Sequence, residues 1–165
     1  MTFRNSAASL ALAVVAVLGV AGPAAAGDQV PFRGRFEGDL TRTPIDQRFF
    51  FDEFDTAGNA TRLGRFELLI TATVDRVTRT ATGTFEFVAA NGDRLVADFV
   101  GRSQPTGTLG VILITEVATI DPDLSTGRFA GATGGFTSER LFDTVGFTTF
   151  GTFEGTISSP GARNR

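Results

Sequence analysis

A glycine and a phenylalanine two residues apart, followed directly by glutamate, recur four times in this chain: Gly34-Arg35-Phe36-Glu37, Gly64-Arg65-Phe66-Glu67, Gly83-Thr84-Phe85-Glu86 and Gly151-Thr152-Phe153-Glu154. On an extended strand, residues two apart project to the same face. Each copy therefore puts a missing side chain and a large ring on one side, and polar groups on the other. Strands of this kind can curve tightly, because a ring fills the space that a neighbouring strand's glycine leaves empty. The repeat points to a barrel or a sandwich.

The rest of the chain fits that reading. Alternation of apolar and polar residues predicts strands over 30–40, 48–55, 63–75, 80–89, 94–102, 109–120, 136–143 and 147–158. Residues 41–46 and 57–60 are expected to be a loop and a turn, and Asn91-Gly92 a tight hairpin in which both residues tolerate positive φ. The connection over 121–135 is the longest, and its glycines Gly127, Gly131 and Gly134 are expected to permit positive φ, with Phe129 folding back over one barrel end. No segment after residue 26 has helical periodicity. Eight antiparallel strands joined by short turns predict an all-β, up-and-down barrel, with a β-sandwich as the alternative.

The first 26 residues read as a signal peptide: Arg4 opens it, Leu10–Val20 is apolar, and Ala24-Ala25-Ala26 closes it with small residues. Its apolar run is shorter than a spanning helix needs. The expected organisation is a leader over 1–26, one barrel domain over 27–159 and a disordered tail over 160–165, with the product secreted or periplasmic.

Composition closes most catalytic routes. The chain has no cysteine, histidine, tryptophan or tyrosine. Thiol chemistry is excluded, and the commonest zinc ligand and general base are missing. The net charge of −3 argues against nucleic acid or an anionic membrane as a general partner. An outer-membrane barrel fits poorly, because outward positions carry Arg, Glu and Asp and no Trp or Tyr girdle can form.

The stretch Ser125-Thr126-Gly127-Arg128-Phe129-Ala130-Gly131-Ala132-Thr133-Gly134-Gly135-Phe136 resembles the Gly-Thr-Gly-x-Phe-x-x-Ala-x-Gly turn of the allene oxide cyclase and dirigent barrels. Gly83-Thr84-Phe85, Ala90-Asn91-Gly92-Asp93 and Gly151-Thr152-Phe153-Glu154-Gly155 are similar to elements of exported bacterial proteins of that barrel type. The resemblance spans about Val30 to Ile157. It implies an eight-stranded barrel, commonly a trimer or dimer, and carries over no catalytic residue.

Within the barrel, Phe36, Phe66, Phe85, Phe99, Phe136 and Phe153 are the expected lining, with Phe32 and Phe87 beside them. Glu116 and Arg140 are the candidate polar pair, expected to stand opposite each other with Arg128 midway between them. They would either anchor a small ligand or form a structural bridge. The acidic groups Asp52-Glu53-Phe54-Asp55 and Asp121-Pro122-Asp123 lack calcium-loop spacing and read as solvated turn residues. Apolar residues expected on the outer face, among them Leu69 and Phe150, suggest self-association. No catalytic, metal or cofactor site is assigned. The function read from the sequence is an exported barrel that binds a small apolar ligand or assembles as a structural component. An isomerase or dirigent-like guide for an apolar substrate is the alternative.

Overall fold

The computed structural model describes residues 28–158. The expected leader and tail lie outside the described residues. Eight strands follow in chain order: β1 Gln29–Pro44, β2 Phe49–Ala60, β3 Gly64–Asp75, β4 Thr80–Ala89, β5 Arg94–Pro105, β6 Val111–Asp121, β7 Gly134–Asp143 and β8 Thr148–Ser158. Each pairs antiparallel with its sequence neighbour, and β8 returns to β1, so the sheet is a closed up-and-down barrel. The sandwich alternative is set aside by that closure.

The cross-strand register explains how the cylinder closes. One circuit of the ladders from Thr43 passes Phe51, Thr73, Thr82, Val100, Val117, Thr137 and Glu154 and arrives at Arg33, a shear of ten residues (43 to 33). Strands with such a stagger must tilt and coil. Glycine makes the coiling possible at the inner surface. Gly34 faces Phe153, Gly58 faces Phe66, Gly83 faces Phe99, and Gly151 faces Phe36 across the ladders. A Cβ added at these glycines would lie only 2.7, 2.8, 2.9 and 2.6 Å, respectively, from the facing ring's Cζ. Each ring thus lies flat across a backbone that has no side chain to obstruct it.

The rings form one continuous solid. Phe32, Phe36, Phe66, Phe85, Phe87, Phe99, Phe136 and Phe153 are all at most 4% exposed. Phe153 meets Phe32 and Phe136 at centroid distances of 4.9 and 5.2 Å, and Phe85 meets Phe99 at 4.9 Å and Phe136 at 5.3 Å. Ring pairs at such spacing, tilted or edge-to-face, add favourable aromatic contact to simple burial. Phe129, in a short 3-10 turn Gly127–Phe129, is fully buried and closes the end of the barrel where β6 meets β7.

Several boundaries differ from the sequence expectation. Residues 41–44 continue β1 and residues 57–60 continue β2, because Gly58 is an inward position under Phe36 and Phe66 and not a turn residue. The turn falls at 61–63, where Arg62 takes positive φ. In the β4–β5 hairpin Gly92 alone takes positive φ, 85°, while the Asn91 side chain bonds Asp93. Gly127, Gly131 and Gly134 all have positive φ, as expected.

Substituting Gly83→Ala should test the ring-on-glycine packing, since the new methyl would overlap the Thr71 carbonyl oxygen as well as Phe99. Urea unfolding should show a loss of about 1–3 kcal/mol, as overpacking costs in closed interiors. Gly107→Ala, with nothing within 4 Å of its Cβ position, should leave the midpoint within about 0.5 kcal/mol.

Candidate functional site

The barrel interior is divided lengthwise. Toward the termini and the 122–133 connection it is apolar, phenyl rings packed with Leu68, Leu95, Ile120 and Ile157. Toward the β1–β2 and β7–β8 turns the inward positions become polar: Asp52 on β2, Glu116 on β6, and Ser138, Arg140 and Thr149 on β7 and β8 are all buried.

Glu116 and Arg140 are the centre of this polar half. They are 1% and 3% exposed, and the guanidinium grips the carboxylate in a fork, with Nε donating to Oε1 and Oε2 at 3.1 and 3.2 Å and Nη2 donating to Oε1 at 2.8 Å. The opposite face of the guanidinium stacks on Phe54, 4.0 Å from the ring centroid. Both side chains obey the rule that places the rings: Glu116 crosses Gly101, and Arg140 stands opposite Gly151. The two residues share the inner face, as their spacing implied, but they are not directly opposed. Glu116 faces Ser138 and Arg140 faces Ile114, so the bridge is diagonal. The pairing is symmetric about Gly127 and not Arg128, and Gly134 and Gly135 begin β7 two residues earlier than alternation suggested.

A second pair sits nearer the mouth. Arg42 donates to Asp52 through Nε, at 2.7 Å, and through Nη2. Asp52 is buried while Arg42 is partly exposed. The reading of the 52–55 acidic group as turn residues is therefore corrected: the group lies in β2, with Asp52 turned inward and Asp55 outward. Sequence reasoning does not reach Arg42, because the alternation it follows ends at Leu40 and places 41–46 in a loop, whereas β1 runs on to Pro44. The parity of Arg42 with Phe32, Phe36 and Leu40 was the available signal.

Rings and guanidinium groups alternate from this centre to the surface. Phe54 meets Phe142 edge-on at 5.7 Å, Arg42 lies 5.7 Å from Phe142 and 4.8 Å from Phe50, and Arg76 lies 5.6 Å from the same Phe50 ring. Such cation–π contacts strengthen where water is excluded. Two buried polar atoms in this half have no hydrogen-bond partner: Arg140 Nη1 and Ser138 Oγ.

Carboxylates at the strand ends stiffen the frame. Asp46, Asp75, Asp121 and Asp143 each accept, through Oδ1, the backbone N–H groups two and three residues on. The Arg48 guanidinium beside Asp75 holds that carboxyl well below the usual range. The Val145 and Gly146 N–H groups lower Asp143. Asp121-Pro122-Asp123 is such a turn, as expected, and no group of carboxylates among the described residues is arranged to hold a metal ion.

Grooves of about 700 Å³ lie on the outside of the sheet, one along Arg33, Arg35 and Asn59 and another along Glu37, Ala57 and Glu67. The six phenylalanines expected to line a cavity are all inside, but they pack on one another. No protein-family model, curated protein or solved structure matches the chain.

The buried pair makes a sharp energetic prediction. Glu116→Gln leaves Arg140 charged without a counter-ion and should cost about 3–5 kcal/mol in denaturant unfolding. The double substitution Glu116→Gln with Arg140→Met should recover most of that loss, because it is the unpaired charge that is expensive.

Proposed function

We propose that this chain is an exported, non-enzymatic structural barrel that assembles with further copies of itself through the outer face of β5 to β8. The observation that carries the reading is a pairing of opposites: the inside is taken up by the protein's own side chains, while the outside of these strands carries two groups of apolar ones among polar neighbours. Leu113, Leu141 and Phe150 are consecutive partners across β6, β7 and β8, and Val100 faces Val117 across β5 and β6. Leu141 and Phe150 are 47% and 54% exposed, and Val100 and Val117 62% and 57%. Scattered apolar residues mean little, but grouped on adjacent strands they favour a protein partner.

A ligand-binding or isomerase role would need room beside Glu116 and Arg140, where Phe54 and Phe142 already pack. The ion pair is better accounted for as a structural bridge. Kinship with the allene oxide cyclase and dirigent barrels belongs to the same proposal, supported by the positive φ of the three turn glycines and the buried Phe129. Assembly through an outer wall is the simplest use of such a patch, because a symmetric oligomer needs only one self-complementary surface.

Sedimentation velocity tests this reading. The protein should run as a dimer or trimer at micromolar concentration, and Leu141→Glu with Phe150→Glu should reduce it to a monomer with an unchanged circular-dichroism spectrum. A wild-type protein that stays monomeric overturns the proposal.

A further inference from the structure

Asn91-Gly92 is the one Asn-Gly step in the chain, and the fold sets it at the apex of the β4–β5 hairpin. Both residues are exposed. Gly92 takes a φ of 85°, and a Cβ built there would find nothing within 4 Å. Its backbone nitrogen therefore has no side chain beside it and open solvent around it. One turn bond restrains that nitrogen, from the Gly92 N–H to the Ala89 carbonyl at 2.8 Å. A single bond at an exposed apex opens locally, without unfolding the barrel.

The two ends of the Asn91 carboxamide are held by one residue. Asp93 donates its backbone N–H to Oδ1 at 3.3 Å, and its carboxylate accepts from Nδ2 at 2.8 Å. A donor on Oδ1 polarises the carbonyl and meets the negative charge that grows there when a nucleophile adds to Cγ. The Gly92 nitrogen, next along the chain, is that nucleophile. Asn59 is also exposed, but it lies inside β2 opposite Arg35 and Arg65, and Ala60 follows it.

We propose that Asn91 is a site of spontaneous covalent modification, at which the Gly92 nitrogen closes on Cγ of Asn91 and the carboxamide ends as a carboxylate. The N–Cγ bond forms and the Cγ–Nδ2 bond breaks. The Gly92 amide proton passes through water to Nδ2, which leaves as ammonia, and a five-membered succinimide results. Water then adds to one of the two ring carbonyls, and the Gly92 nitrogen regains its proton from that water. Opening at Cγ gives aspartate. Opening at the main-chain carbonyl gives isoaspartate, with the backbone rerouted through Cγ.

The change reaches the fold through Asp93. Its carboxylate sits against Gly127, where a Cβ would lie 1.8 Å from Oδ1, and its Oδ2 is 3.9 Å from Arg128 Nε. Arg128 donates to the Arg62 and Leu63 carbonyls and stacks on the buried Phe129 ring. Beside it, the Thr126 N–H donates to the Arg94 carbonyl and the Arg94 N–H to Thr126 Oγ1. Three connections thus meet around Asp93 at the closed end of the barrel. The Asn91 amide is the main cause that holds the Asp93 carboxyl below its usual range. A carboxylate at position 91 removes that donor and places a like charge beside Asp93, which loosens this cap.

Peptide mapping of the full chain, kept folded at mildly alkaline pH, tests the chemistry. Trypsin cuts after Arg79 and Arg94 and releases residues 80–94, which contain Asn91, while residues 49–62 contain Asn59. The first fragment should gain the mass of an NH-to-O exchange and split into aspartate and isoaspartate forms. Its rate should lie within about tenfold of that of the same chain unfolded in urea, since only one exposed turn bond opposes the step. Residues 49–62 should keep their mass. An amide at Asn91 that survives in the folded chain while the unfolded chain loses it, or an equal rate at Asn59, overturns the proposal. Asn91→Asp tests the consequence: hydrogen exchange at the Thr126 amide should quicken by roughly threefold, the scale of one exposed charge contact. Unchanged exchange there overturns the link to the cap.

Discussion

The contact between a phenyl ring and the bare backbone of a glycine on the next strand is what the rest of this structure depends on. It recurs between Phe153 and Gly34, Phe66 and Gly58, Phe99 and Gly83, and Phe36 and Gly151. Each such pair removes one Cβ and inserts one ring, which lets the sheet bend inward without leaving a void. Interiors tolerate neither overlap nor gaps of methyl size. The same device then sets the polar half, where Glu116 lies across Gly101 and Arg140 across Gly151. A buried ion pair and a phenyl core are thus two uses of one packing rule.

That rule also governs how the interior is filled. A barrel of eight strands is either filled by its own side chains or holds one small ligand, and here contacting rings take up the phenyl half. On the wall of β5 to β8, Val100 and Val117 form one apolar pair and Leu113, Leu141 and Phe150 a second apolar group, with Arg102, Thr115 and Glu139 in the row between them. A second copy of the chain is the partner proposed for that wall.

The inner face was legible in the sequence because side-chain period on a strand is two: Phe85, Phe87 and Ala89, or Leu95, Ala97 and Phe99, could be assigned by parity alone. Glu116 and Arg140 fell on the inner face for the same reason. Their diagonal register did not follow, since it depends on how many residues of the 122–133 connection join β7. Asp52 was hidden in a run of three phenylalanines followed by acids, which looks like a strand end but is a strand interior. That Ile45, Val77, Leu109 and Val145 stand exposed in turns at one end of the barrel was invisible to periodicity, because turn residues carry no repeat.

The central claim is that rings lie over facing glycines throughout the barrel, and proton NMR measures this directly. A Hα proton beneath a phenyl ring is shifted upfield by the ring current. The account predicts upfield Hα resonances for Gly34, Gly58, Gly83 and Gly151, each with cross-relaxation to the ring protons of Phe153, Phe66, Phe99 and Phe36 respectively, and ordinary shifts for Gly92 and Gly107. Unshifted resonances at those four glycines, without contacts to the rings, would contradict it.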